Sequence, residues 1–157
     1  MKNVVVKKTP GKGKGVFALR NFAKGEIVIA IHYAKIIPEK IADEMPQRYL
    51  DHMSYTGHGM CAVMTNPGRF VNHSCDPNSY FQHVDTHNEN VIAIKPIKKG
   101  QEITVDYRVD SVDSWEMKCS CGAKNCSGIV KGPFTTLDKK TRKKYAPYVP
   151  YWNKKYC

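Results

Sequence analysis

Ten consecutive residues, Arg69-Phe70-Val71-Asn72-His73-Ser74-Cys75-Asp76-Pro77-Asn78, concentrate the chemistry of this 157-residue chain. Asn72 and His73 each carry side chains that can both donate and accept hydrogen bonds. Cys75 can serve as a thiolate metal ligand. Asp76-Pro77-Asn78 is turn chemistry, because proline fixes φ and Asx side chains bond their own backbone. The apolar lead-in Phe70-Val71 predicts that the polar pair is held against a core. Downstream, Cys119-Ser120-Cys121-Gly122-Ala123-Lys124-Asn125-Cys126 spaces three thiols as C-x-C-x4-C. A loop of this kind buries little apolar surface, so something must tie it down. Zinc would do so, and a closed structural site needs a fourth ligand. A third loop, Thr9 to Gly15, has glycine at 11, 13 and 15, which lets backbone come close to a ligand or close a hairpin. It is neither a phosphate-binding loop nor a dinucleotide fingerprint, because a strand and not a helix follows it.

The elements around these residues read as many short strands. Val4-Val5-Val6, Val16–Leu19, Ile27–Ile31, Met60–Met64 and Ile103–Tyr107 have strand length and β-branching, and Tyr80–Val84 with Val91–Ile94 reads as an antiparallel pair. Turns at Lys24-Gly25-Glu26, Asn66-Pro67-Gly68 and Lys98-Lys99-Gly100 separate them. Ile41, Met45 and Tyr49 at four-residue steps predict a helix from Pro38 to about Leu50, interrupted by Pro46. The expected fold is β-rich, mainly β with minor α+β character.

The length fits one domain with a small appendage. No apolar run approaches the roughly 20 residues of a membrane-spanning helix, and no secretory signal is visible. The six cysteines therefore read as thiols or ligands in a reducing cytosol before disulfides. The net charge of +11 sits at the two ends. Residues 1–25 hold no acid, and from Lys131 onward Asp138 is the lone acid among eight basic residues, whereas residues 26–130 hold 10 basic against 13 acidic residues. The ends suit either plain solvation or a nonspecific contact with nucleic acid or nucleoprotein. The tail aromatics Tyr145, Tyr148, Tyr151, Trp152 and Tyr156 suit packing on the domain surface or stacking on bases.

Taken together, the motifs resemble the SET-domain lysine methyltransferases. The decapeptide is similar to that family's R-F-[IV]-N-H-S-C-x-P-N signature. Gly13–Ala18 resembles its first glycine-rich strand. Gly100-Gln101-Glu102-Ile103-Thr104-Val105-Asp106-Tyr107 resembles its G-[ED]-E-[LI]-T-x-D-Y element. Cys119, Cys121 and Cys126 resemble its post-SET cluster. The motifs occur in the family's order over about residues 4–130.

The resemblance implies a β-clip of several short sheets with a pseudoknot that brings Asn72-His73 beside Tyr107. It implies a SET domain at 1–117, a post-SET zinc loop at 118–130 and a basic, aromatic-rich extension at 131–157. S-adenosylmethionine would lie against Lys14, Gly15 and Phe17 (largely their backbone), Asn72, His73 and Tyr107, with Tyr107 as the catalytic tyrosine. Cys75 would join Cys119, Cys121 and Cys126 around one structural zinc, leaving Cys61 as a core thiol and Cys157 as a free terminal one. The substrate would be a lysine in a basic segment of a histone or other DNA-binding protein, with no membrane partner. Cytoplasmic or chromosomal location follows, and export into a host cell is compatible with it.

Two departures from the family pattern matter. Val105 stands where a bulky aromatic is common, which predicts room for more than one methylation. His32-Tyr33-Ala34-Lys35 lacks the acid and glycine of the family's Glu-Tyr-x-Gly element. Tyr33 is therefore a channel candidate with Tyr49 and Tyr55 as rivals. A competing reading is a catalytically weak fold of the same kind that binds nucleoprotein through its basic ends.

Overall fold

The computed structural model describes residues 3–50 and 52–157. Its strands, in chain order, are β1 (Val4–Thr9), β2 (Gly13–Ala18), β3 (Ile27–His32), β4 (Lys35–Pro38), β5 (Met53–Gly57) and β6 (Met60–Val63), then β7 (Asn72–His73), β8 (Ser79–His83), β9 (Asn88–Ala93), β10 (Glu102–Val105), β11 (Glu116–Lys118) and β12 (Ile129–Lys131). The α-helices are α1 (Glu39–Ala42), α2 (Gln47–Leu50) and α3 (Lys139–Tyr145). The β-rich expectation holds. The strands form four small sheets, ordered β1-β2-β10-β7, β3-β9-β8, β4-β6-β5 and β11-β12.

The glycine loop closes the β1–β2 hairpin, with Gly11 and Gly13 at positive φ where a side chain would strain the turn. β2 and β10 then pair antiparallel, and β7 lies parallel to β10 with Asn72 opposite Thr104 and His73 opposite Val105. This parallel contact lays the decapeptide along the segment that ends in Tyr107. Asn78 secures it: its amide donates to the Glu102 carbonyl at 2.8 Å and its oxygen accepts from Thr104 N–H at 3.0 Å. Ser79 adds a bond to the Thr104 carbonyl at 2.8 Å.

Val16, Phe22, Ile29, Ile31, Val91 and Ile103 build the main core between the first two of these sheets. Each such side chain contributes about 1.5–3 kcal/mol on burial. A second cluster, Val109, Phe134, Leu137, Tyr145 and Val149, anchors the C-terminal segment. Asp138 starts α3 by accepting from Thr141 N–H at 3.0 Å. The single helix expected from Pro38 to Leu50 is instead two four-residue helices, α1 and α2, with Pro46 between them. The four-residue spacing there did not mark a buried face: Ile41 and Tyr49 are about half exposed, and Ala42 is the buried residue of α1.

Candidate active site

At one edge of the site, β2, β7 and β10 bring three motif residues together. The Asn72 amide donates to the Lys14 carbonyl at 2.9 Å and to Glu102 Oε1 at 2.7 Å. Lys12 Nζ holds the other Glu102 oxygen at 2.7 Å. Both amide protons of Asn72 are thereby used, leaving its Oδ1 as an acceptor. Gly15 lies beneath this network, where an added Cβ would come within 2.5 Å of Glu102 Oε1. Glu102 was missed as a site residue in the sequence, although it stands inside the matched Gly100–Tyr107 element.

His73 sits at the centre. Tyr107 N–H donates to His73 Nδ1 at 3.3 Å, so the neutral ring carries its proton on Nε2, 3.4 Å from Cys75 Sγ. Burial keeps this ring neutral by lowering its pKa to about 4, with the charges of Arg108 and Lys12 adding to the effect against the pull of Asp106. The 3.6 Å approach of His73 to Asp106 is therefore not an ion pair at neutral pH. The Tyr107 hydroxyl donates to the Val71 carbonyl at 2.7 Å. A continuous chain of contacts thus runs from Tyr107 through His73 to a thiol.

That thiol belongs to a group of four. The sulfurs of Cys75, Cys119, Cys121 and Cys126 lie within 4.8 Å of one another. A tetrahedral zinc with bonds of about 2.3 Å would set them about 3.8 Å apart, so the donor set fits that metal. β11 and β12 bracket the loop. Cys75 is tied into it by its own backbone: its N–H donates to Cys121 Sγ at 3.4 Å and its carbonyl accepts from the Asn125 amide at 2.9 Å. Burial pushes Cys119 up to about 12. Burial opposes ionisation of Cys121 too, but the N–H groups of Cys75 and Ala123 and the thiols of Cys119 and Cys126 hold it down to about 6. A thiolate that draws protons from its neighbours is a site prepared for a cation.

A cleft of about 620 Å³ opens beside Tyr107. Val71 and Phe81 line it with the tyrosine, as do the acids Glu39, Asp43, Asp110, Asp113 and Glu116, the last paired with Lys131 at 2.8 Å, and among the described residues Arg69 is its cationic lining residue. The Glu39 carboxyl is pushed up by burial and then by the charges of Asp113 and Asp43. These acids come from two stretches, Glu39 with Asp43 and Asp110 to Glu116, which are far apart in sequence and which no single motif joins. Cys61 lines the cleft rather than the core, its thiol pushed up to about 11 by burial and by the charges of Glu39, Asp113 and Asp43. Cys157 is exposed and unpaired, as expected.

Two predicted channel residues are elsewhere. Val105 is 1% exposed in the main core and is not among the residues that line the cleft. Val105→Phe is expected to lower unfolding free energy by about 1–3 kcal/mol through overpacking, as read by denaturant melts, rather than simply to change product. Tyr33 is also buried in the core and away from the cleft, whereas its rival Tyr55 lines it. Tyr49 is exposed.

Asp106, next to the tyrosine, is a hub that sequence reasoning passed over. Its fully buried carboxylate takes Arg108 Nε at 2.8 Å, an Arg108 terminal nitrogen at 2.7 Å and the Tyr145 hydroxyl at 3.1 Å. It thereby latches the C-terminal segment to the site. Asp106→Asn leaves the Arg108 guanidinium without its partner and is expected to cost about 3–5 kcal/mol in urea unfolding. Trp152 strengthens the same contact, its Nε1 donating to the Asp110 carbonyl at 2.9 Å.

Comparison with known proteins agrees with this geometry. Residues 13–108 match the SET domain family. The chain is 33% identical over 132 residues to human histone-lysine N-methyltransferase 2B, covering 73% of this chain and 5% of that protein. It is 30% identical over 145 residues to Arabidopsis thaliana histone-lysine N-methyltransferase ASHR3, covering 82% of this chain and 28% of that one. The chain thus spans a small part of the length of these relatives. A crystal structure from Plasmodium falciparum, of a protein assigned to the histone methyltransferases, superposes with a TM-score of 0.57 at 28% identity, covering 68% of this chain and 94% of that one. With the decapeptide beside Tyr107 and the family match across the chain's centre, this protein belongs to the SET-domain family.

Proposed function

We propose that this chain is an S-adenosylmethionine-dependent protein-lysine N-methyltransferase acting on a basic segment of a histone or other DNA-binding protein. The observation that carries the reading is the cleft that Tyr107 lines together with Val71, Phe81 and five acidic residues. Acids along its walls suit a lysine- and arginine-rich peptide, which they attract and orient. Val71 and Phe81 keep the reacting end dry, which favours the neutral amine that must attack. The names of the relatives support the same activity and a place at chromatin.

S-adenosylmethionine, when bound, supplies a methyl group on a sulfonium for in-line displacement by the lysine nitrogen. In this reading the backbone at Lys14, Gly15 and Phe17 cradles it and Asn72 Oδ1 accepts from its amino group. His73 serves by its main chain, because both ring nitrogens are already committed. Tyr107 orients the lysine nitrogen and the methyl, and alignment supplies much of the rate. Cys75, Cys119, Cys121 and Cys126 would hold one structural zinc that fixes the loop beside the site.

The test is transfer of labelled methyl from S-adenosylmethionine to core histones, with Glu39→Gln/Asp43→Asn alongside. Label on histone lysines, with a raised KM and little change in kcat in the double variant, is the expected result. Of the tail aromatics, Tyr145 is buried, Tyr148 packs on Tyr80 at 4.8 Å and Trp152 on His83 at 4.7 Å, whereas Tyr151 and Tyr156 are exposed, so the competing nucleoprotein-binding reading would rest on the basic ends and these two rings. No label from folded protein, with salt-sensitive DNA binding, would favour that reading instead.

A further inference from the structure

A second cluster of metal-binding side chains lies apart from the four thiols. His83 on β8 and Glu89 on β9 are direct cross-strand partners, so the pleat puts both side chains on one face of the sheet. His83 Nε2 and Glu89 Oε1 approach to 3.1 Å. Asp110, three residues past the active-site tyrosine, completes the group, and one ligand atom from each residue lies within 4.8 Å of the others. Glu89 is 0% exposed. Among the described residues, His83 Nδ1 has no hydrogen-bond partner, and the Glu89 carboxylate faces His83 Nε2 and the Tyr33 hydroxyl. The Tyr33 hydroxyl is buried beside Glu89 and Ser54, and its ionisation is opposed by burial and then by the nearby charges of Glu89 and Asp110.

Two carboxylates, an imidazole and a phenol gathered in one buried place are costly unless a cation balances the acids. No lysine or arginine pairs with Glu89 among the described residues. Burial disfavours every charged form here, with the charge of Asp110 adding to it at Glu89 and that of Asp106 at Asp110. A divalent cation reverses that logic, since one imidazole and two carboxylates around it form a neutral set.

We propose that His83, Glu89 and Asp110 bind a divalent first-row transition-metal ion. The mixed nitrogen and carboxylate donors suit Mn2+, Fe2+ or Zn2+ rather than the softer metals that thiolates select. Tyr33 stands beside the ligands as a hydrogen-bond partner for a carboxylate, the kind of outer support such sites use. Asp110 also lines the substrate cleft, which gives the ion a way in. Trp152 covers the other side, its ring edge on His83 and its Nε1 on the Asp110 carbonyl. The ion would tie the β8–β9 pair to the segment after Tyr107 and, through Trp152, to the C-terminal tail.

Mn2+ is the discriminating probe, because a four-thiolate site disfavours it. Full-length protein, with its thiol-bound metal left in place, is titrated with Mn2+ by calorimetry and by the loss of the free-ion electron paramagnetic resonance signal. The expected result is one equivalent of Mn2+ bound and a Tm that rises with its concentration. Both responses should vanish in Glu89→Gln and in His83→Ala and persist in Cys121→Ser. Folded wild-type protein that binds neither Mn2+, nor Zn2+ beyond the thiolate equivalent, would overturn the proposal and leave the cluster as a protonated hydrogen-bond network. Binding that survives both ligand variants would overturn it too, by placing the ion elsewhere. Should a variant fail to fold, the wild-type stoichiometry decides alone.

Discussion

Tyr107→Phe is expected to lower kcat by about 10²–10³-fold, or about 3–4 kcal/mol, the usual cost of removing one preorganised polar group from a reacting centre. The hydroxyl is held in a fixed position, donating to the Val71 carbonyl at 2.7 Å, while the residue's own N–H is fixed on His73. The substitution removes the hydroxyl's bond to the Val71 carbonyl from a half-buried ring, which should cost about 1 kcal/mol of stability. Fold and catalysis are therefore separable. Single-turnover rates, measured beside denaturant melts, should show a large loss in the first and a small one in the second. Equal activity in both proteins would remove Tyr107 from the mechanism.

Cys75→Ser should have the second large effect, although Cys75 lies outside the cleft. Its sulfur is one of the four that converge on a common centre, and the serine hydroxyl is a poor substitute for a thiolate. With one ligand of the proposed zinc site removed, the variant is expected to bind no zinc and to lose the order of the Cys119–Cys126 loop. The effect reaches the tyrosine by a short route, because His73 Nε2 points at Cys75 Sγ while His73 Nδ1 accepts from Tyr107 N–H. Loss of such supporting contacts typically costs about 10–100-fold in activity. Metal analysis and kcat measured together check this: zinc lost with activity intact would break the link between the two sites. Removal of zinc from the wild type by a strong chelator should reproduce the variant's loss.

Part of this was legible in the sequence because it is local. The decapeptide, the Gly100–Tyr107 element and the cysteine spacing are each contiguous, and the strands declared themselves by β-branched runs of the right length. The parallel pairing of β7 with β10 set the decapeptide beside Tyr107 as the resemblance implied. What the sequence hid is non-local. Asp106 meets Tyr145 across 39 positions, and nothing in either neighbourhood announces the other. The acids of the cleft come from α1, the segment after Tyr107 and β11. Val105 and Tyr33 were placed in the channel by analogy of position, but their side chains went to the core, where apolar burial outweighs any role at the cleft. The helical run expected at 38–50 is broken at Pro46, as its missing donor implied, into the short helices α1 and α2.

Lysine methylation by this chain is decided by where a methyl group ends up. The most direct measurement uses a basic peptide with one lysine, S-adenosylmethionine and the metal-loaded protein, with the product sequenced by tandem mass spectrometry. Methyl on the lysine side-chain nitrogen, absent when that lysine is replaced by arginine and sharply reduced with Tyr107→Phe, is the predicted result. An unmodified peptide from folded, metal-loaded protein at saturating cofactor, across basic histone-tail sequences, would contradict it.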